Sequence, residues 1–273
     1  MPDPRWFQIF ALASLLAFGM ARRAFEIAPL DIVAIFATAL STQWAMSMVF
    51  AIRVELKSAA ITALSLTLLL RANELWPLAL AAFIAVASKF LIRARGKHVF
   101  NPANIGIVAV TLLSGAAWTT PGQWGTTVWL AALIAGAGFF VAYRASRLDV
   151  PLIFLGTFAA LIFIRALWLG DPFAIPMHRL QNGALILFAF FMISDPKTTP
   201  DSPPLRALFA AGTAALSYVF IYHFHRADGV FYALALACLV RPALELQSRA
   251  RRYQWSDPPG IKAQASISAT PAE

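Results

Sequence analysis

The residues best suited to chemistry lie in three short polar stretches between apolar ones. The first stretch holds Asn101 and Asn104, the second Asp195 and Lys197, and the third Asp228. An asparagine directly before a proline is a good helix N-cap, and a helix start exposes N–H groups that attract anions. Asp195 is followed by a proline that ends a helix and by a lysine that can pair with its carboxylate. This pattern predicts polar groups at buried helix ends.

Two interpretations fit these residues. In the first, each residue caps only its own helix, and truncations to alanine would have additive effects. In the second, Asn101, Asp195 and Asp228 organise one central ligand site between opposing half-helix ends. The second interpretation is our prediction, because buried helix ends leave backbone groups that need a cap or a ligand.

Several other kinds of site are excluded or disfavoured. Cys238 is the only cysteine, so the chain cannot supply a four-thiolate iron–sulfur cluster. His223 and His225 are two residues apart, which places them on different faces of a helix, so no metal site is predicted. The sequence contains no P-loop, nucleophile elbow or HExxH motif.

Composition indicates a lipid environment. The chain has 273 residues, of which 60% are hydrophobic and 13% charged, and its mean hydropathy is +0.69. Soluble domains carry about 25% charged residues. The net charge of +9 comes from short basic runs between apolar stretches, which suits anionic lipid rather than nucleic acid. The predicted partner is therefore the lipid bilayer, and no nucleic acid.

Apolar runs between charged and turn residues predict an all-α polytopic membrane protein with about ten helical segments. The third, fifth and eighth segments are too short to cross a hydrocarbon core, which is typical of half-helices that line a cavity. The segments are approximately 6–20, 31–52, 58–70, 76–92, 102–116, 126–143, 150–168, 183–193, 205–224 and 229–244.

The ten segments divide into two halves of five. An odd number of segments in each half predicts an inverted repeat, with repeat one at about 6–116 and repeat two at about 126–246. We therefore expect a single transmembrane domain over 1–252. The tail at 253–273 is rich in Pro, Ser and Ala and is predicted to be disordered.

Positive charge predicts the orientation in the membrane. One side of the ten-segment arrangement, which includes both termini, receives 16 of the 22 Lys and Arg residues, and the other side receives six. Cytoplasmic loops carry the excess of positive charge in membrane proteins. Both termini are therefore predicted to be cytoplasmic.

Four motifs in order resemble one family of membrane flavoproteins. They are Ser58-Ala59-Ala60-Ile61-Thr62, Val99-Phe100-Asn101-Pro102-Ala103, Ile193-Ser194-Asp195-Pro196-Lys197-Thr198 and Asp228-Gly229-Val230. The resembled family contains the D subunit of the Rnf electron-transport complex and the B subunit of the sodium-pumping NADH:quinone oxidoreductase. The resemblance implies a urea-channel-like fold of ten helices in a bacterial-type inner membrane. It also implies electron transfer coupled to cation movement, together with other membrane redox subunits.

The resemblance further implies a flavin cofactor. Family members carry FMN esterified to a threonine between segments five and six, but here Ala117 stands where that threonine is expected. We therefore predict FMN or riboflavin held without a covalent bond. The predicted cofactor contacts are Asn101, Asn104, Asp195, Lys197, Asp228 and Thr62.

Two other functions remain open from the sequence. The same fold could carry a small solute as a transporter or channel without redox activity. Alternatively, the chain could be a scaffold subunit with neither activity. The missing threonine favours these two functions, whereas the retained motifs favour electron transfer.

Overall fold

The computed structural model describes residues 3–21, 27–125, 128–246, 250 and 253. Apart from Tyr253, the tail predicted to be disordered lies outside these residues, as do Arg22 to Glu26 and Thr126 to Thr127.

The described chain is predominantly helical, which confirms the predicted all-α class, and each of the ten predicted segments coincides with a helix. A further short helix, α8, was not predicted. The helices are α1 Pro4–Ala21, α2 Pro29–Val49, α3 Leu56–Leu69, α4 Leu75–Leu91, α5 Pro102–Leu113, α6 Val128–Arg144, α7 Asp149–Leu169, α8 Ala174–Leu180, α9 Gly183–Leu187, α10 Pro203–Tyr222 and α11 Gly229–Leu244. Helices α1, α2, α7 and α10 are long and apolar enough to cross a membrane. The protein is a polytopic membrane protein.

Three of the helices are half-helices, as the sequence predicts. Helix α3 has 14 residues, α5 has 12, and α9 has five residues followed by a five-residue π-helical turn, Phe188–Met192. At a rise of 1.5 Å per residue, these elements are about 15–21 Å long, against about 30 Å for a hydrocarbon core. Their ends therefore stop inside the protein or at its clefts.

Four short strands pair in the connections, which the sequence did not predict. Strand β1, Leu70–Ala72, follows α3 and pairs antiparallel with β4, Ala117–Thr119, which follows α5. Strands β2, Arg93–Ala94, and β3, Lys97–His98, form a second pair between α4 and α5. These pairings give hydrogen-bond partners to backbone groups where the chain leaves the helices.

The packing partners of the two halves correspond in order. In the first half, α1 packs on α3, α2 on α4, and α4 on α5. In the second half, the corresponding pairs are α6 on α9, α7 on α10, and α10 on α11. Helices α5 and α11 contact each other between the halves. This correspondence agrees with two halves of five segments, while their inverted relation stays a prediction.

A buried ionic network joins the loops at one end of the bundle. Lys97 Nζ lies 2.9 Å from Asp201 Oδ2 and 3.3 Å from Glu245 Oε1. Arg147 Nη2 lies 3.2 Å from Asp201 Oδ1, and Arg241 Nη1 lies 2.6 Å from Glu245 Oε2. All five side chains are buried. The network therefore ties the α4–α5 and α6–α7 connections to the start of α10 and the end of α11.

Candidate functional site

A cavity of about 340 Å³, which we call cavity A, lies at the same end of the bundle as the ionic network. It is bounded by the N-terminal parts of α1 and α3, the α4–α5 connection and the turn after the π-helical segment. Its lining includes the predicted contacts Thr62, Asn101, Asp195 and Lys197. The fold thus brings together four of the six predicted cofactor contacts from segments far apart in the chain.

Asn101 is the N-cap of α5, as predicted. Its side-chain oxygen accepts a hydrogen bond from Asn104 N at 3.0 Å, which satisfies one free N–H of the first turn. Its Nδ2 donates to Met192 O at 3.2 Å and lies 3.4 Å from Asp195 Oδ2. Asn101 therefore connects the start of one half-helix to the end of the other.

Asp195 is held as a carboxylate in the turn after the π-helical segment. Lys197 N donates to its Oδ1 at 2.9 Å, and His98 Nε2 lies 3.5 Å from its Oδ2. Burial acts to raise the pKa of Asp195, but the nearby His98 and the backbone N–H of Lys197 outweigh it, so the pKa lies below its usual value. A negative charge is thus fixed beside the start of α5.

Lys197 lines the cavity and also holds the C-terminal segment. Its Nζ donates to Tyr253 O at 3.2 Å, and Arg147 stacks over the Tyr253 ring at 4.9 Å from the ring centroid. Burial is the largest effect on Lys197, and it lowers the pKa of this amine despite the attraction of Asp195. Tyr253, beyond the last helix, therefore lies beside the cavity.

Asp228 does not line cavity A, so the fold brings together two of the three residues of the predicted central site, Asn101 and Asp195. The Asp228 carboxylate accepts from Tyr232 Oη at 2.7 Å and pairs with Arg226 at 3.2 Å, and it makes no side-chain cap of α11. Tyr232 Oη lies 3.4 Å from Thr111 Oγ1, near the far end of α5. That position is about two helical turns, or roughly 10 Å, beyond Asn104. The first turns of α5 and α11 touch each other, but Asp228 lies toward the Thr111 end of α5, away from Asn101.

Asn104 is also absent from the lining of cavity A. It is fully buried, and its Nδ2 donates to Phe231 O at 3.0 Å. Its Oδ1 has no hydrogen-bond partner among the described residues. Asn104 therefore joins α5 to α11 rather than facing a ligand in cavity A.

An aromatic wall completes cavity A. Phe90, Phe190 and Phe191 line it and are almost fully buried. Phe190 and Phe191 belong to the π-helical turn, a form that is often found at functional sites. Gly138 of α6 permits this packing, because a Cβ there would lie 2.4 Å from Phe190 Cβ. Flat aromatic groups suit such a wall.

A second cavity of about 250 Å³, which we call cavity B, lies at the other end of the bundle. Thr119, Thr120, Arg179 and Asn182 contribute polar groups to it. The buried Thr120 hydroxyl has no hydrogen-bond partner among the described residues. Ala117, where the resemblance expects the flavin-bearing threonine, is buried in β4 opposite Ala72 and has no hydroxyl that could form a phosphoester.

The two cavities share no lining residue, although two half-helices run from one to the other. Helix α3 lines cavity A up to Ser65 and cavity B at Leu69, and the α9 segment lines cavity B up to Leu185 and cavity A from Phe190. The cavities are therefore separated by about one helical turn, roughly 6–8 Å. We call this layer the septum; its buried residues are Leu66, Thr67, Leu68, Ile186, Leu187, Phe188 and Ala189.

Sequence reasoning missed two residues that line cavity A. Lys89 Nζ donates to Gln43 Oε1 at 2.7 Å and to Ser58 Oγ at 3.1 Å, inside the bundle. His98 lies beside Asp195 through the β2–β3 pair. The available signal for Lys89 was its position one turn before the end of an apolar segment, but from sequence it counts only among the 16 cations of the predicted cytoplasmic side.

Comparisons with known proteins give the family of the chain. The family model described as "NQR2, RnfD, RnfE family" matches residues 109–254, which is more than half of the chain. A relative from Escherichia coli O1:K1 / APEC, named as the D subunit of the ion-translocating oxidoreductase complex, is 33% identical over 142 residues. The protein of the same name from Escherichia coli O81 (strain ED1a) is 32% identical over 142 residues.

These alignments cover 52% of this chain and 38% of each relative, so the chain matches well under half the length of these relatives. The family match includes the Asp195 turn and the start of α11, whereas the Thr62 and Asn101 motifs precede it. Since the family match spans more than half of the chain, the protein belongs to the NQR2, RnfD, RnfE family.

Proposed function

We propose that the chain is a membrane component of an ion-translocating oxidoreductase complex and takes part in flavin-dependent electron transfer. In this proposal, FMN or riboflavin binds in cavity A without a covalent bond. The observation that carries it is the meeting of Thr62, Asn101, Asp195 and Lys197 in one cavity with an aromatic wall. The name of the E. coli relatives supports the same class of function.

The cavity suits a flavin in size and chemistry. Its volume of about 340 Å³ lies within the usual range for ligand sites, roughly 300–1,000 Å³. Phe190 and Phe191 offer an apolar surface to a flat ring, and the Thr62 hydroxyl and the Lys197 amine offer polar contacts. A bound flavin would supply the electron-transfer chemistry, while these residues would orient it and exclude water.

The septum favours electron transfer over an open channel. A solute that diffuses through an open channel needs a continuous path, but packed side chains, among them Leu66 and Phe188, separate cavities A and B. An electron needs no such opening, because it tunnels through packed protein over short distances. Coupling to cation movement, and partnership with other membrane redox subunits, are parts of the proposal that the relatives' name supports.

Flavin content gives the direct test. We expect the purified protein to be yellow, with the absorption bands of oxidised flavin, and to release all of its flavin on denaturation. Denaturing electrophoresis under ultraviolet light should then show no fluorescence at 29.7 kDa, the mass of the chain. A colourless, folded preparation that takes up neither FMN nor riboflavin would contradict the flavin proposal. A fluorescent band at that mass would contradict non-covalent binding.

We further propose that both termini are cytoplasmic, as the distribution of Lys and Arg predicts. The contacts of Arg5 with Glu55 and of Lys197 with Tyr253 support one common face for the N-terminus, the α2–α3 connection and the C-terminal segment. Reporter fusions after Glu273 and in the loop around Gly122 should report opposite sides of the membrane. The same side for both fusions would rule out the proposed arrangement.

A further inference from the structure

The walls of cavity A carry an excess of positive charge. Six Lys and Arg side chains line it, against two carboxylates, those of Glu55 and Asp195. Two of the cations are neutralised by carboxylates: Arg5 pairs with Glu55, and Lys97 belongs to the buried ionic network. Of the remaining cations, Lys89 lies deepest in the bundle, within α4.

Lys89 is held by neutral groups only. Its Nζ donates to Gln43 Oε1 at 2.7 Å and to Ser58 Oγ at 3.1 Å. The Gln43 amide is itself oriented, because its Nε2 donates to Ser47 Oγ at 3.3 Å. An ammonium group has three N–H donors, so one donor and the full positive charge remain for a ligand.

No described carboxylate forms an ion pair with Lys89. The negative charges of Asp195 and Glu55 attract Lys89 from a distance. However, Asp195 lies against His98, and Glu55 is paired with Arg5. A cation within a membrane protein is costly without a counter-charge, and such residues commonly mark ligand or ion sites. The geometry therefore leaves a place for an anion at this amine.

We propose that Lys89 is an anion subsite of cavity A and that the group it recognises is a phosphate monoester. A phosphate monoester carries nearly two negative charges at neutral pH and three strong acceptor oxygens, which suits several unpaired cations better than a single carboxylate does. Arg53 and Arg93 add positive charge to the same lining. As applied to a flavin, this inference rests on the proposed function: the subsite selects FMN over riboflavin, which lacks the phosphate.

Binding of three soluble probes tests the inference. FMN, riboflavin and inorganic phosphate are titrated calorimetrically into the protein in phosphatidylcholine nanodiscs. We expect wild type to bind FMN more tightly than riboflavin and to bind phosphate. Lys89→Gln should weaken FMN and phosphate binding roughly tenfold to a hundredfold, since a hydrogen bond to a charged group is lost, and should leave riboflavin binding unchanged.

Two further variants serve as controls. Lys57→Gln removes a cation of the same type that pairs with Asp3 at 3.1 Å and does not line cavity A, so binding of all three probes should be unchanged. Lys89→Arg keeps the charge and should keep the preference for FMN. If Lys89→Gln does not fold, the Lys89→Arg variant and the comparison of FMN with riboflavin on wild type still test the phosphate subsite.

The outcomes separate this inference from the proposed function. Equal binding of FMN and riboflavin by wild type would overturn the phosphate subsite and leave the flavin proposal intact. Binding of phosphate that depends on Lys89, without binding of either flavin, would support the subsite and overturn the flavin proposal. Phosphatidic acid carries the same phosphate monoester on a lipid. If phosphatidic acid in the nanodiscs abolishes binding of FMN and phosphate by wild type, the subsite takes a lipid phosphate and its assignment to FMN is overturned, whereas FMN binding that persists supports the assignment.

Discussion

Replacing Asp201 with alanine should lower the free energy of unfolding by about 3–5 kcal/mol, the usual cost of removing one partner from a buried ion pair. Asp201 accepts from Lys97 at 2.9 Å and from Arg147 at 3.2 Å, and all three side chains are at most 7% exposed. Without the carboxylate, the hydrogen-bond partners that Arg147 retains among the described residues are neutral, such as Thr199 Oγ1 at 3.0 Å. Burial lowers the pKa of Arg147 to about 10, so it stays charged at neutral pH.

Asp171→Ala provides the matched control for this prediction. Asp171 pairs with Arg165 at 3.5 Å, and both side chains are about one-third exposed, so its loss should cost about 0–1 kcal/mol. Both variants would be compared with wild type by reversible unfolding in mixed detergent micelles. Similar losses in the two variants would mean that the buried network contributes no more than an exposed pair.

Gly106→Ala should lower the free energy of unfolding by about 1–3 kcal/mol, because it overpacks the contact between α4 and α5. A Cβ at Gly106 would lie 2.6 Å from Ala81 O and 2.9 Å from Ala85 Cβ. The first of these atoms is backbone and cannot move aside without shifting α4. Small residues at such positions allow membrane helices to approach closely.

Gly156→Ala separates packing from helix propensity. Gly156 also lies within a helix, α7, but nothing lies within 4 Å of a Cβ placed there. Alanine should be neutral there or stabilise by up to about 1 kcal/mol through its better helix propensity. Thermal unfolding of both variants measures the difference, and equal changes in the two would exclude the proposed α4–α5 clash.

Local sequence was sufficient for the helices and for one cap. Apolar runs bounded by charges predicted the ten segments, and an asparagine before a proline predicted the N-cap at Asn101, since both features depend on neighbouring residues. Helix α8 and the pairing of β1 with β4 were missed. Helix α8 has only seven residues, and the strand pairing depends on the meeting of the α3 and α5 ends.

The composition of the candidate site depended on tertiary structure. The sequence groups Asp228 with Asn101 because both precede short helices, but the packing of α11 on α5 places Asp228 toward the Thr111 end of α5 rather than beside Asn101. Lys89 was interpreted as a topogenic charge, because only the approach of α2 and α3 gives it Gln43 and Ser58 as partners. Contacts between distant segments leave no periodic signal in the sequence.

The septum has a further consequence for the electric field across the membrane. Water and ions that fill cavities A and B from the two ends would carry the two bulk potentials inward, so we expect most of the transmembrane voltage to fall over the layer that contains Leu66, Leu187 and Phe188. Moving one elementary charge across the whole membrane potential is worth about 2.3 kcal/mol per 100 mV. A charge that crosses only this single helical turn would experience nearly that full energy, although it travels a small part of the membrane thickness.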